Sequence, residues 1–228
     1  MTINPTQLTR AAGLAAAVSG LFYILIQFIH PVENLGAVTS TAWAAVSILT
    51  MAMAVLGLIG ASGLYLRQVR QTGVLGLVGY LLFSTFYLLT ISFTFVEAFV
   101  LPSLAAQAPA FVTDFLGIFS GSPSDGSLVL ELAAPVGAAA YLLGGLLFGV
   151  ALFRARVLAR WAAILLAVGT VSTLVIPFLP HAAARLVALP VGVALVGLGL
   201  SLWRERRTAA TDSSIQAGAS RPVPATAR

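Results

Sequence analysis

Three side chains in this sequence have the types and positions to form a metal site. His30 and His181 are its only histidines, and each follows a long apolar segment, while Glu97 lies near the end of another. Two histidines and one carboxylate are a recognised ligand set for catalytic zinc and for non-haem iron. There is no His-Glu-x-x-His spacing, so three separate segments would have to bring the ligands together. The alternative is that both histidines are solvated or capping residues at a membrane surface.

Glu97 is a candidate catalytic or binding residue on its own account. It stands among aromatic residues, with Phe93 and Phe99 close by in the sequence. A carboxyl group in an aromatic wall could act as a general acid or orient the head of an apolar ligand. At about 1.5 Å per residue, Glu97 lies roughly 36 Å along a helix that starts at Gly73, close to the end of that helix. The alternative is an interfacial acid that reaches water beside lipid-facing phenylalanines.

Patterns typical of other reaction classes are missing from the sequence. There is no cysteine, no Gly-x-Ser-x-Gly elbow and no phosphate-binding loop. Gly73, Gly76 and Gly79 recur at a spacing of three, but a dinucleotide fingerprint needs a strand before its glycines. We therefore predict no cofactor-binding residues, and we interpret the many small residues as sites of close helix packing within lipid.

The elements that must position these side chains are membrane helices. Hydrophobic residues make up 59% of the 228 residues and charged residues 8%, against roughly 45–50% and about 25% in soluble domains. Continuous apolar runs of about 18 residues or more predict spanning helices, because a barrel strand would alternate. We predict an all-α integral membrane bundle of six transmembrane helices in residues 1–207 and a disordered cytoplasmic tail in residues 208–228. The six segments are 11–29, 41–66, 73–101, 132–153, 161–179 and 186–203.

The arginines predict how the bundle is oriented. Nine lie beside the same ends of the predicted segments, and only Arg185 lies beside the opposite ends. Because short arginine-rich loops stay in the cytoplasm, we expect both termini of this multi-pass protein on the inner side of a plasma membrane. The same asymmetry accounts for the net charge of +5, so the expected partners are lipids and no nucleic acid. The nine are Arg10, Arg67, Arg70, Arg154, Arg156, Arg160, Arg204, Arg206 and Arg207.

One connection between the predicted segments is long and contains a pattern of its own. Within residues 102–131, Phe111, Phe115 and Phe119 recur at four-residue intervals. This spacing predicts a short amphipathic helix, because residues four apart lie on one helix face. We expect the helix to lie flat on the outer surface or to fold over the bundle as the roof of a pocket.

Similar residues recur where the odd-numbered segments begin. Arg10 is followed three residues later by Gly13, Arg70 by Gly73 and Arg160 by an alanine. The first and fifth segments share further residues at the offset of 150 that separates Arg10 from Arg160. Three consecutive helical hairpins, arranged as a pseudo-repeat, would explain this pattern. The alternative is that aromatic belts and cytoplasmic arginines give unrelated helices similar ends.

Short motifs also give the whole chain a resemblance to a known group. RAAG opens the first segment at residues 10–13, and GGLLFG at 144–149 leads through FR at 153–154 to RWAA at 160–163. In these motifs the chain resembles a broad group of uncharacterised six-span bacterial integral membrane proteins, gathered under a domain-of-unknown-function name. The resemblance implies the six-span architecture. It implies no activity and no catalytic residue.

Three hypotheses for the function follow from these features. In the first, the protein binds a lipid or another hydrophobic molecule in an outward-facing pocket. In the second, it is a membrane-embedded enzyme that acts on an apolar substrate through Glu97, with or without a metal held by His30 and His181. In the third, it is a small transporter subunit, although no charged residue lies near the middle of any predicted segment, where a coupled transporter usually needs one.

Overall fold

The computed structural model of the chain describes residues 4–120, 128–179 and 185–219, and all regular structure in these ranges is helical. The all-α prediction is therefore confirmed for the described residues. In chain order the elements are α1 (Pro5–Ile29), α2 (Leu35–Val38), α3 (Thr41–Arg67), α4 (Val69–Phe95), a π-helical turn (Val96–Val100), α5 (Leu101–Leu104), α6 (Pro109–Ser120), α7 (Leu128–Ala155), α8 (Arg160–Ser172), a 3₁₀ segment (Thr173–Phe178) and α9 (Leu189–Ala219).

Four helices in the described ranges are long and apolar enough, by length and composition, to cross a membrane. They coincide with the first four predicted segments, so the prediction of membrane helices is confirmed for these four. The fifth and sixth segments correspond to shorter apolar helices, Arg160–Ile176 and Leu189–Arg204. The four long helices are Pro5–Ile29, Thr41–Arg67, Val69–Leu104 and Leu132–Ala155.

Polar caps rather than apolar runs decide where the first helices begin. The side chain of Asn4 accepts a hydrogen bond from the N–H group of Thr6 at 2.9 Å, and Pro5 takes the first helical position. The hydroxyl oxygen of Ser40 accepts from the N–H group of Trp43 at 3.2 Å in the same way. Helix α1 therefore begins six residues before the predicted start at residue 11, because its first turn is polar.

The ends of α4 and α9 differ from the predicted boundaries. Gly73, predicted as the first residue of the third segment, is a break within α4 with φ 57° and ψ −154°. Helix α9 continues to Ala219, past the predicted end at residue 203 and into the segment predicted as a disordered tail. Hydropathy marks the apolar part of a helix, and it does not register polar turns that extend the same helix.

Six of the helices pack as a closed ring in chain order. Helix α1 contacts α3, then α3 contacts α4, α4 contacts α7, α7 contacts α8, α8 contacts α9, and α9 returns to α1. The last contact is close: a Cβ atom added to Gly20 would lie 2.4 Å from the carbonyl oxygen of Gly192. Such approach of two backbones supplies the dispersion contacts that hold helices together in lipid.

The interior of the ring is filled in one half and open in the other. At the end where α7 finishes and α8 begins, the core is close-packed and almost without exposed surface, and it includes Phe148, Leu152, Leu166, Leu198 and Leu202. Toward the opposite end, where α1 and α4 finish, the interior contains a cavity. The fold thus leaves space at the end that holds Glu97 and His30.

Helix α6 forms within the predicted segment and covers a second apolar cluster, but Phe111 of the predicted stripe is 41% exposed and the buried hydrophobic residues are Val112, Phe115 and Leu116. Its residues Val112 and Phe115 are buried against Val38 of α2, Trp43 of α3 and Leu101 of α5. No described residue of α6 lines the cavity, so α6 does not occupy the pocket-roof position that the sequence suggests.

Candidate functional site

A cavity of about 610 Å³ lies inside the ring, near the ends of α1 and α4. Helices α1, α3, α4 and α7, the π-helical turn and the 3₁₀ segment all contribute to its walls. Ligand pockets typically measure about 300–1,000 Å³ and are mostly apolar with a few polar groups. This cavity has that composition. Its polar side chains are Tyr23, His30, Thr50, Thr90, Thr94, Glu97, Tyr141 and Thr173.

The cavity exists because the first half of α7 carries small side chains that no neighbour fills. Ala134, Gly137 and Ala138 lie on its wall. A Cβ atom added to Gly137 would meet only Leu89, at 4.0 Å, whereas one added to Gly144 would lie 2.5 Å from the backbone nitrogen of Phe83. Glycine thus packs α7 against α4 in one half of the helix and leaves open space in the other.

Glu97 lies in the π-helical turn Val96–Val100, and its side chain lines the cavity. Turns of this kind insert an extra residue into a helix and occur frequently at functional sites. The indole Nε1–H of Trp43 donates to the backbone carbonyl oxygen of Glu97 at 3.0 Å, which ties the turn to the start of α3. Within the described ranges the Glu97 carboxylate itself has no hydrogen-bond or ion-pair partner.

His30 lines the same cavity and follows directly after α1. Its Nδ1 atom lies 2.9 Å from the carbonyl oxygen of Pro31, so Nδ1 is the donor, and in the neutral ring Nε2 is then the acceptor. The edge of the ring faces Trp43, with the ring centroids 6.0 Å apart. Arg185 donates to the backbone carbonyl oxygen of His30 at 3.0 Å. These contacts fix His30 at the end of the cavity that also holds Glu97.

The structure brings together two of the three predicted metal ligands. His30 and Glu97 share one cavity, whereas His181 lies outside the described residues. Among the residues that the structure describes, no group of three or more His, Cys, Asp or Glu side chains is placed to hold a metal ion. The metal site at His30, Glu97 and His181 therefore stays a prediction, as does a catalytic role for Glu97.

Four threonines on the cavity wall use their hydroxyl protons within their own helices. The hydroxyl groups of Thr50, Thr90 and Thr173 donate to carbonyl oxygens three or four residues earlier, at 2.6–2.9 Å. Thr94 donates in the same way to the carbonyl oxygen of Thr90. Each hydroxyl oxygen keeps lone pairs that can accept a further hydrogen bond. The threonines therefore offer acceptors, and no donors, to a molecule in the cavity.

Two tyrosines on opposite sides of the ring form the floor of the cavity. The hydroxyl groups of Tyr23 on α1 and Tyr141 on α7 lie 3.2 Å apart and share a hydrogen bond. The ring of Phe86 packs against that of Tyr141, with the centroids 4.8 Å apart. Below this pair, the ring of Tyr87 is 1% exposed and belongs to the close-packed core. The aromatic floor thus separates the cavity from the filled half of the ring.

The threonines and tyrosines of this cavity were not predicted from the sequence. A signal was present in α4, because Thr90, Thr94 and Glu97 recur at i, i+4 and i+7 and therefore share one helix face. A polar stripe of this kind within an apolar segment indicates a face turned toward a cavity or another helix. Tyr23 and Tyr141 carried no comparable signal, because their contact joins α1 to α7 across the ring.

A second cavity, of about 690 Å³, lies between α7 and α8. Its lining is hydrocarbon and aromatic except for Ser172, and it includes exposed side chains such as Ile164 and Val168. Leu174, in the 3₁₀ segment, lines both cavities. We call the second cavity the α7–α8 groove, and Leu174 is a wall residue common to it and the interior cavity.

Comparisons with known proteins give no independent identification of this site. The resemblance to the six-span bacterial group rests on the short motifs quoted above, and it stays a prediction. No protein-family model, curated protein or solved structure matches the chain.

Proposed function

We propose that this chain is a six-span protein of the bacterial plasma membrane that binds a lipid or another hydrophobic molecule in an outward-facing cavity. The observation that carries the proposal is the cavity of about 610 Å³, with its apolar walls and with Glu97 and His30 at one end. Burial in such a cavity favours an apolar molecule, and the few polar groups would orient it.

The geometry of the last two helices supports six spans. The α-helical part of residues 160–178 rises about 1.5 Å per residue and the 3₁₀ part about 2.0 Å. Together they extend roughly 30 Å, which matches a hydrocarbon core of about 30 Å. Helices α8 and α9 also complete the ring between α7 and α1. A ring closed in this way favours a common depth for all six helices.

The positions of the arginines support an outward-facing cavity. The guanidinium of Arg10 lies 5.7 Å from the ring centroid of Trp203, and that of Arg160 lies 4.2 Å from the ring centroid of Phe153. These residues are at the filled end of the ring, opposite to Glu97. Because arginine-rich ends stay in the cytoplasm, the cavity would open toward the exterior.

Two substitutions one residue apart on α7 test whether the cavity binds a hydrophobic molecule. Both alanines are exposed, but Ala138 lines the cavity whereas the neighbouring Ala139 lines neither cavity. We expect mass spectrometry of the purified protein to find a hydrophobic molecule bound to the unmodified chain and to Ala139→Phe. We expect Ala138→Phe to lose it, because the added ring occupies the same space. Retention of the molecule by Ala138→Phe, or its absence from the unmodified chain, would overturn the proposal.

The same preparation tests the alternative of a metal-dependent enzyme, which His30 and Glu97 favour by sharing a cavity. Metal analysis that finds one bound ion in the unmodified protein, lost in His30→Ala and in His181→Ala, would support that alternative. Metal-free protein with a bound hydrophobic molecule would support the binding proposal.

A further inference from the structure

We infer that the ligand of the interior cavity is an amphipathic amine, whose protonated nitrogen binds beside Glu97 and whose alkyl chain passes Leu174 into the α7–α8 groove. This inference rests on the proposed function and narrows its ligand to one chemical class. It follows from the hydrogen-bonding capacity of the cavity wall, from its charge and from the position of Leu174 on the walls of both cavities.

The polar wall of the cavity offers acceptors almost exclusively. The four threonine hydroxyl protons are bonded within their own helices, and the proton on His30 Nδ1 is bonded to Pro31. The Nε2 atom of His30 and the threonine oxygens therefore remain as acceptors. The exception is one proton of the Tyr23–Tyr141 pair at the floor. A head group with several N–H donors is complementary to this wall.

The charge of the wall selects for a cation. Among the described lining residues Glu97 is the one acid and none is an arginine; Arg185, next to the cavity, donates to the backbone carbonyl oxygen of His30 instead. Among the described residues the Glu97 side chain has no partner, and a carboxylate left so in an apolar cavity is costly; a bound ammonium group would supply its counter-charge. Phe86, Phe93 and Tyr141 also line the cavity, and aromatic rings attract cations at their faces. An anionic head group would meet the carboxylate and a row of lone pairs instead.

The α7–α8 groove provides a place for the alkyl chain. It continues from Leu174, which is 59% exposed and shared with the cavity, toward Phe153 at the arginine-bearing end of α7. A chain in this groove would stay in contact with the hydrocarbon of the bilayer while its head lay beside Glu97. The direction suits an amphiphile that enters from the outer leaflet, because its chain then points toward the middle of the membrane.

The chain has no cysteine, so a single cysteine can report on the cavity without interference. In the variant Thr90→Cys, the rate of modification by a thiol-specific methanethiosulfonate reagent would measure how far each probe protects the cavity. The probes are dodecylamine, dodecanol and dodecanoate, which share a chain and differ in the head. We expect dodecylamine to protect at concentrations about tenfold lower than dodecanol or dodecanoate. A factor of about ten in affinity corresponds to one hydrogen bond to a charged group. Thr50→Cys, on α3, provides a second reporter of the same ranking.

Two further substitutions test recognition of the amine head group and the path of the alkyl chain separately. Glu97→Gln should remove the preference for dodecylamine over dodecanol. Leu174→Trp should weaken protection by dodecylamine and not by butylamine, whereas Leu81→Trp, at an exposed position of α4 outside both cavities, should change neither.

The possible outcomes distinguish this inference from the proposed function. Equal protection by dodecanol and dodecylamine, or an unchanged preference in Glu97→Gln, would overturn the inference that the ligand is an amine. The cavity would then remain an apolar binding site. Equal effects of Leu174→Trp on the long and the short amine would overturn the path of the chain. A lack of protection by every probe, with no molecule bound to the purified protein, would overturn the proposed function as well.

Discussion

Trp43 is the residue that connects the start of α3 to the turn carrying Glu97. Its indole donates to the Glu97 carbonyl oxygen at 3.0 Å, and its side chain is 1% exposed. Trp43→Phe keeps an aromatic ring but leaves that carbonyl oxygen without its donor. We expect the free energy of unfolding, measured by denaturant titration in detergent, to fall by about 1–3 kcal/mol.

Trp161 provides the control for this substitution, because its side chain is 56% exposed. Trp161→Phe removes the part of this ring that lies beside Gly197 of α9, and we expect it to lower the free energy of unfolding by less than Trp43→Phe does, since no buried carbonyl oxygen loses a donor. If the two variants unfold at the same denaturant concentration, the Trp43 hydrogen bond does not stabilise the π-helical turn.

At the residue scale, the sequence was informative where ionisable groups are rare. Glu97 and His30 could be identified because so few charged or titratable residues occur in apolar segments. The proton positions in the cavity could not be predicted, because they depend on partners such as the Pro31 carbonyl oxygen beside His30. The acceptor-rich character of the site is therefore a property of the folded chain.

Within α7, two glycines in similar apolar surroundings have opposite packing roles. A Cβ atom at Gly144 would lie 2.5 Å from the backbone nitrogen of Phe83, so the two helices would have to move apart to accommodate it. Gly137, in contrast, faces open space. We expect Gly144→Ala to lower the free energy of unfolding by about 1–3 kcal/mol, because overpacking forces the backbones apart. Gly137→Ala should be neutral or stabilising by up to about 1 kcal/mol, because alanine favours the helix. Denaturant titration of both variants measures these free energies. Equal destabilisation would show that no open space lies beside Gly137.

At the scale of elements, hydropathy predicted the long helices and not their irregular turns. The first four segments match helices of membrane-spanning length. The π-helical turn at Glu97 and the 3₁₀ segment at Thr173 were not predicted, because both change the backbone hydrogen-bond register without changing composition. These two irregular turns both line the cavity, so the sequence located the helices better than it located the site.

At the scale of the whole molecule, closure of the ring determines which side chains meet. The hydroxyl groups of Tyr23 and Tyr141 are neighbours only because α1 and α7 face each other across the interior. Hydropathy reports that each helix is apolar, and it does not report which face turns inward. The predicted three-hairpin pseudo-repeat is compatible with a ring of six helices, and it stays a prediction until the hairpins α1–α3 and α8–α9 are superposed.

The number of spans and their orientation can be tested with reporter fusions along the chain. The nine-to-one distribution of arginines predicts a cytoplasmic reporter after Arg70, after Arg160 and after Arg207. It predicts an external reporter near Asp125 and near His181. An external signal after Arg160 would contradict the orientation of the whole bundle.

His181 is the position that separates six spans from four. If only the four long helices crossed the membrane, the chain beyond Arg160 would remain in the cytoplasm, and a reporter near His181 would be cytoplasmic as well. Six spans require the opposite result at this one position, because α8 must then carry the chain across. An external reporter near His181 would also place that histidine on the same side as His30 and Glu97, which a shared metal site requires. A cytoplasmic reporter near His181 would contradict both the six-span topology and the predicted metal site.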